Sequence, residues 1–391
     1  MASTKKPLKI LYFVPGVHFG GVERVLLTLL EKLDRSDFEP LVVTGGKGSF
    51  SKALEQAGIR HCPIRSVRSN EAGFMKVLLN FFPNLIRIAR ILRKEKPDLI
   101  HDVTPDGLVY LSLAARVNRI PLIWQPQIPQ DQIRKRGRIL QKASAYIKLD
   151  FIIFVGDFAR KSYSSFTLPP WEIVPNSVDL KAPTQEERRR LRRKYQFPKN
   201  SRLVGLVARI IPGKGHEEFI QAVAHLRRPG QNLRFLIIGD PHIDPPFTRK
   251  LRKMVRELGL EGIVRFTGFL SPPGDFMSCL DLLVLPSRSE LQGLVLLEAM
   301  ACGVPVVASN IEAISDLIND GETGLLVPPE DVKSLARAVL TVLENPELRD
   351  RIVANASAMV QRDHSLGKNT LRISCIYRKL CSVESRPTAP P

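Results

Sequence analysis

The sequence predicts two doubly wound α/β domains joined near residue 180, and three features predict it. Short β-branched runs alternate with longer amphipathic stretches almost throughout. Several of those runs are continuously apolar rather than alternating, the pattern of parallel strands covered on both faces. The chain has 391 residues, too many for one compact core and about right for two such domains.

Strands are expected at 10–14, 40–44, 99–103, 121–124 and 151–155, then, after a break, at 203–208, 234–238, 263–267, 282–285, 304–308 and 325–327. Helices are expected between them at 22–33, 51–57, 77–94, 217–225, 248–258, 294–301 and 334–343. Repeated βαβ order of this kind builds a parallel sheet with helices on both faces. The break falls where Asn176-Ser177-Val178-Asp179 supplies turn chemistry and a charged helix follows. The expected domains are therefore 1–180 and 181–381, the last helix being able to pack back on the first domain. A polar, Pro-rich tail at 382–391 is expected to be disordered. Ligands of open parallel sheets bind beyond the carboxyl ends of the strands. Two such sheets facing each other would put the site in the cleft between them.

Composition excludes several classes. The five cysteines form no C-x-x-C pair and have no histidines at metal spacing, which argues against a zinc site or a disulfide framework. A reducing, cytoplasmic setting is expected. The apolar run 10–14, after Lys5, Lys6 and Lys9, is too short for a secretory leader and reads as the first strand. No stretch approaches the roughly 20 apolar residues of a membrane span. The net charge of +19 is spread along the chain, with 27 basic against 16 acidic residues in 1–180 and 31 against 23 in 181–391. An arm that grips nucleic acid would be more local and interleaved with aromatics, so nucleic acid is not an expected partner.

Two readings of this charge stay open. The densest cluster, Arg188, Arg189, Arg190, Arg192, Arg193 and Lys194, reads as a solvated helix face. Attraction to anionic lipid would instead make the protein peripheral on the inner face of a membrane. The basic segment 134–142 is the better lipid candidate, whereas the amphipathic stretch 77–94 reads first as a core-packing helix.

The chemistry concentrates in loops that follow strands. After the run ending at Leu285 come Pro286-Ser287-Arg288-Ser289-Glu290-Leu291-Gln292-Gly293, and Gly293 opens a helix that Gly303 closes. A helix N-terminus favours anions through its free N–H groups and dipole. Glu298, on the second turn, would repel a phosphate and suits a neutral hydroxyl pair such as a ribose. Glu290 can accept hydrogen bonds from a sugar, with two surface glutamates around an ordinary βα unit as the alternative reading of both. Earlier, Arg209 ends a strand and a Pro-Gly turn presents Lys214 before Gly215 and His216. An arginine and a lysine so placed suit a diphosphate leaving group, with two exposed cations in a basic protein as the alternative. Gly20 and Gly21 follow the first strand and would let backbone approach a ligand closely, although a plain βα turn explains them as well. His101 ends a strand and is expected at the cleft edge, with a purely structural role as the alternative.

These segments, in this order along nearly the whole chain, resemble glycosyltransferase family 4. The E-x7-E spacing of Glu290 and Glu298, followed by Ala-Met-Ala-Cys-Gly303-Val-Pro305, carries the resemblance. It implies the GT-B fold, two Rossmann-like domains facing across a cleft. The implied activity is retaining, metal-independent hexosyl transfer from a UDP- or GDP-sugar to a glycan, lipid-linked or small-molecule acceptor, with no cofactor. Glu290 would engage the donor sugar near its anomeric centre and Glu298 the ribose. Backbone amides of Gly293, Leu294 and Val295 would meet sugar and diphosphate. Arg209 and Lys214 would hold the diphosphate, matching a G-R-x4-K-G segment. Gly20 and Gly21 would face donor phosphate and acceptor, Phe269 would pack on the donor base, and His101 matches the first histidine of P-D-I-V-H-x-H. The chain departs from the family at Leu291 and Gln292, at Val103, and at Gln125 and Gln127, where relatives often carry a histidine. A catalytically silent nucleotide-sugar binding protein is therefore the second reading.

Overall fold

The computed structural model describes residues 6–16, 19–64, 74–105, 107–127, 149–164, 168–198, 200–227 and 232–382, without side chains at 74–82. The segment 134–142 and the tail from 383 lie outside the described residues. The chain divides into two compact units, Met1–Ser177 with Leu366–Pro391, and Val178–Ser365.

The first unit carries strands β1 (Leu8–Val14), β2 (Phe38–Thr44), β3 (Arg60–Pro63), β4 (Leu99–Asp102), β5 (Leu122–Trp124), β6 (Phe151–Phe154) and β7 (Trp171–Ile173). Between them run helices α1 (Gly21–Lys32), α2 (Ser49–Gln56), α3 (Phe74–Glu95), α4 (Leu108–Asn118) and α5 (Asp157–Ser162). The strands lie in the order β3-β2-β1-β4-β5-β6-β7, all parallel. Order reverses between β1 and β4. On α3, Asn84, Ile88 and Leu92 form an i, i+4 stripe that is buried, so this half of the amphipathic stretch packs inward, and the helix lies against α4.

The second unit opens with helix α6 (Gln185–Lys194), then β8 (Arg202–Val207), α7 (His216–Leu226), β9 (Leu233–Ile238), α8 (Pro245–Glu257), β10 (Val264–Gly268), α9 (Pro273–Met277) and β11 (Leu282–Leu285). It continues with α10 (Leu294–Ala301), β12 (Val306–Ser309), α11 (Glu312–Ser315), β13 (Leu325–Val327), α12 (Val332–Glu344) and α13 (Pro346–Asp363). Strand order is β10-β9-β8-β11-β12-β13, again parallel, and it reverses between β8 and β11. Along β8, Leu203 joins one core cluster while Val204 and Leu206 join another, and β11 divides the same way at Leu283 and Val284. The sheet thus buries both faces, which is why its strands read as unbroken apolar runs.

All eleven expected strands are present, with ends shifted by two residues or fewer. The two that sequence patterning missed, β3 and β7, are the edges of the first sheet. Each is short and partly exposed, so neither needs a long apolar run.

The final helix, α14 (Leu366–Cys381), counts with the first unit rather than with residues 181–365. Ile373, Ile376 and Tyr377 enter the first unit's core, and Asn369 Nδ2 donates to Pro175 O at 3.0 Å and to Ser177 Oγ at 2.9 Å. The cationic helix α6 is not a uniformly solvated face. Arg188 and Arg192, one turn apart, both donate to Asp281, at 2.7 and 2.5 Å, while Arg189, Arg190, Arg193 and Lys194 are exposed.

Candidate active site

Where strand order reverses in the second unit, β8 and β11 run side by side and their following loops meet, the usual ligand position in an open parallel sheet. Arg288 N donates to Gly213 O at 2.9 Å, joining the two loops. Gly215 lies so close to the second loop that a Cβ there would sit 2.1 Å from Pro286 O, and its φ of +74° also demands glycine. This contact sets the position of the preceding residue. Lys214 Nζ donates to Glu290 Oε1 at 2.7 Å and to Ser289 O at 3.3 Å. Both side chains are mostly enclosed, at 16% and 17% exposure. Two charged groups 76 residues apart thus form one ion pair at the mouth of the sheet.

The other second-unit candidates surround that pair with distinct characters. Arg209 is exposed just beyond β8, with no side-chain acceptor among the described residues. Gly293 caps α10 with φ +66° and has no side chain to satisfy the first N–H groups of that helix, those of Leu294 and Val295 among them. Glu298 is 4% exposed, so it is enclosed rather than displayed. Phe269, following Gly268 at φ +77°, is 55% exposed, a flat apolar face turned to solvent.

Sequence patterning missed a second charged bridge. Arg288 Nη2 and Nε donate to Glu218 Oε1 at 2.6 and 3.2 Å, and Nη1 lies 2.5 Å from Glu330 Oε1. Glu218 is nearly buried on α7, and Glu330 holds φ +65°. Arg288 therefore ties the Glu290 loop to elements on both sides, and no local pattern signals it because its partners lie 70 and 42 positions away in the chain. R288Q is expected to raise amide hydrogen exchange in residues 286–293 about tenfold, near 1.4 kcal/mol of local opening. The cost in global stability should be about 1–3 kcal/mol, because the substitution leaves Glu218, only 8% exposed, without its cation. Exchange mass spectrometry with a parallel urea melt checks both.

In the first unit the structure corrects the expectation for His101. Its ring is 0% exposed, inside the core rather than at an accessible edge. Nδ1 lies 2.6 Å from Tyr377 Oη, which lies 3.0 Å from Tyr12 Oη. Residue 101 falls on the strand face that α14 covers. Gln127 and Asn176 exchange reciprocal amide hydrogen bonds at 3.2 and 3.1 Å, and Gln125 is buried. Gly20 N donates to Glu23 Oε2 at 3.1 Å, a helix-start contact. A Cβ on Gly21 would meet nothing within 4 Å, so packing inside this unit does not require glycine there.

Two buried histidines make stability depend on acidity. Burial drives the His101 pKa down to about 3, against a smaller opposing pull from the Gln125 amide. His216, on the first turn of α7, has no hydrogen-bond partner for either ring nitrogen among the described residues. Burial, with repulsion from Lys214, lowers its pKa to about 4. Below pH ~6.5 the unfolded chain takes up protons that these rings refuse, so stability falls with falling pH by up to about 1.4 kcal/mol per unit for each ring. The loss ends near pH 4 for His216 and near pH 3 for His101. H216F should lose about 2 kcal/mol less than wild type between roughly pH 7 and 5. Urea titrations at the two pH values measure the difference.

Comparison with known proteins gives this geometry a family. Residues 19–182 match the model Glycosyltransferase Family 4, and residues 187–359 match the model Glycosyl transferases group 1. Alpha-D-kanosaminyltransferase of Streptomyces kanamyceticus is 37% identical over 201 residues, 51% of each chain. D-inositol 3-phosphate glycosyltransferase of Corynebacterium glutamicum is 33% identical over 214 residues, 53% of this chain and 51% of that one. The match thus spans about half the length of these curated relatives. 2-Deoxystreptamine N-acetyl-D-glucosaminyltransferase of Streptomyces fradiae is 27% identical over 370 residues, 86% of each chain. Among solved structures, Anabaena HepE in complex with UDP and glucose superposes with a TM-score of 0.84 at 23% identity, covering 95% of this chain and 100% of that one. With two adjoining family models along most of its length and two parallel Rossmann-like sheets, the chain belongs to glycosyltransferase family 4 and has the GT-B fold.

Proposed function

We propose that this protein transfers a hexosyl group from a nucleotide-diphosphate sugar, UDP- or GDP-linked, to an acceptor hydroxyl with retention of configuration. The observation that supports this most is the Lys214–Glu290 pair at the point where strand order reverses. Lys214 and Arg209 supply positive charge where a diphosphate leaves, without a metal ion in that role, and the α10 amides of Leu294 and Val295 add to it. Glu290 meets the sugar near C1, Glu298 the ribose, and Phe269 the base. The bond from C1 to the diphosphate oxygen breaks, and its electron pair departs with the nucleotide. The acceptor oxygen then bonds to C1 on the same face, its proton passing to the departing phosphate. Gly20 and Gly21 enter this reading as donor-binding candidates on the family resemblance alone.

Relatives named for D-inositol 3-phosphate and 2-deoxystreptamine justify including both compounds among the acceptors tried, beside glycans and lipid-linked sugars. Among the described residues no helix is long and apolar enough to cross a membrane. Attachment to an anionic membrane from the cytoplasmic side is part of the same proposal and rests on the net charge of +19.

One observation favours the second reading, a silent nucleotide-sugar binder. His101 is buried, and Gln127, near where relatives often carry a histidine, is committed to Asn176. A panel of UDP- and GDP-sugars separates the two readings. Turnover or slow donor hydrolysis with at least one donor supports transfer, whereas a donor that raises the melting temperature without turnover supports the binder.

A further inference from the structure

A second cationic pocket lies at the opposite end of the second unit's strands. It occupies about 350 Å³ beside the amino-terminal ends of β8, β11 and β12, where Arg202 opens β8, Asp281 precedes β11 and Pro305 precedes β12. Three arginines from three separate elements line it: Arg188 of α6, Arg202, and Arg349 from the start of α13. The donor loops leave the other ends of the same strands, so this pocket is distinct from the Lys214–Glu290 site.

Each guanidinium is anchored through one nitrogen and keeps others uncommitted. Arg188 Nη2 donates to Leu280 O at 2.8 Å and Asp281 Oδ1 at 2.7 Å, Arg202 Nη1 to Leu343 O at 2.5 Å, and Arg349 Nε to Asp350 Oδ1 at 3.0 Å. Nε and Nη1 of Arg188, Nε and Nη2 of Arg202, and both terminal nitrogens of Arg349 have no acceptor among the described residues. The lining also contains two carboxylates, already occupied. Asp281 takes Arg188 on one oxygen and both Arg192 Nη2 and Leu203 N, at 2.5 and 2.7 Å, on the other, while Asp350 takes Arg349. Three cations against two carboxylates leave the lining with a net charge of +1 and with preset, unused N–H donors, an arrangement suited to phosphate oxygens.

We propose that this pocket is an oxyanion site that takes the phosphate group of a small phosphorylated molecule. Its volume falls within the range that accommodates such a ligand. The donors come from an inter-element linker helix, a strand start and a helix start, so occupation would brace the amino-terminal end of the sheet. The inference is independent of the transfer reaction.

The test is calorimetric titration of the full chain with inorganic phosphate and with glycerol 3-phosphate, for wild type, R349E and K214A. Arg349 is a partly exposed residue of the first turns of α13, so its reversal should leave the fold intact, and a thermal melt verifies that. Binding that survives K214A and weakens about tenfold or more in R349E supports the site. Loss in K214A with no change in R349E assigns all phosphate binding to the Lys214 site and overturns the proposal, as does the absence of any binding at millimolar phosphate. Co-sedimentation with phosphatidic acid vesicles distinguishes the sources. Vesicle binding lost in R349E identifies a lipid headgroup, and glycerol 3-phosphate binding without vesicle binding identifies a free ester. If nucleotide sugars fail to bind while the R349E result stands, the transfer reading fails and the oxyanion site remains.

Discussion

Replacing Lys214 with alanine is expected to lower donor turnover by about 10²–10³-fold, the effect of removing one preorganised partner of a developing negative charge. Lys214 is held at 2.7 Å by Glu290 and at 3.3 Å by Ser289 O before any donor arrives. On the proposed mechanism a bound diphosphate would compete for the ammonium and release Glu290 to face the sugar, so K214A would remove both donor binding and the arming of Glu290. The same substitution leaves an 83% enclosed carboxylate without its partner. That should cost about 1–3 kcal/mol of stability. The double variant K214A/E290A discards the orphaned charge, so it should recover most of that stability while remaining inactive. Steady-state turnover and urea unfolding on wild type, K214A and K214A/E290A test this, and K214A activity within threefold of wild type would remove Lys214 from the mechanism.

Gly215→Ala should be the most damaging glycine substitution in the second unit. The φ of +74° costs a β-carbon about 1–2 kcal/mol. The added methyl would stand 2.1 Å from Pro286 O, a backbone atom, so no side-chain rotation relieves the collision. Overpacking of this kind adds about 1–3 kcal/mol. Gly213→Ala is the internal control, since its φ is +85° but a Cβ there meets nothing within 4 Å. Subtracting the G213A loss from the G215A loss in paired urea melts isolates the collision. Because Gly215 follows Lys214 directly, G215A should also pull the ammonium away from Glu290 and reduce turnover even where the protein remains folded. Equal losses in the two variants would show that the Pro286 contact yields easily.

The loops that carry the second unit's candidate residues were legible in the chain. Glu290, Arg209 and Lys214 all follow apolar runs, and the loops after parallel strands are where ligands bind. The Arg288–Glu218–Glu330 bridge was not legible, because a salt bridge across 70 residues leaves no trace in the neighbours of either residue. His101 illustrates the opposite difficulty. Its place at the end of a strand pointed toward an accessible edge, yet α14, arriving 276 positions later, covers it with Tyr377. Gln127 likewise stands near where relatives often carry a histidine, and only the fold shows its amide paired with Asn176.

By itself the sequence determined the alternation of strand and helix, the division into two parallel sheets and the loops in which charge gathers. Those features follow from local periodicity, since a strand buried on both faces must be apolar along its length. Tertiary structure decided which charges meet and which side chains disappear. Lys214 reaches Glu290 only because β8 lies beside β11 rather than beside β10. α14 belongs to the first unit only because its apolar face fits there. Strand order and helix docking are set by the summed packing of the whole chain, and no single segment carries that information.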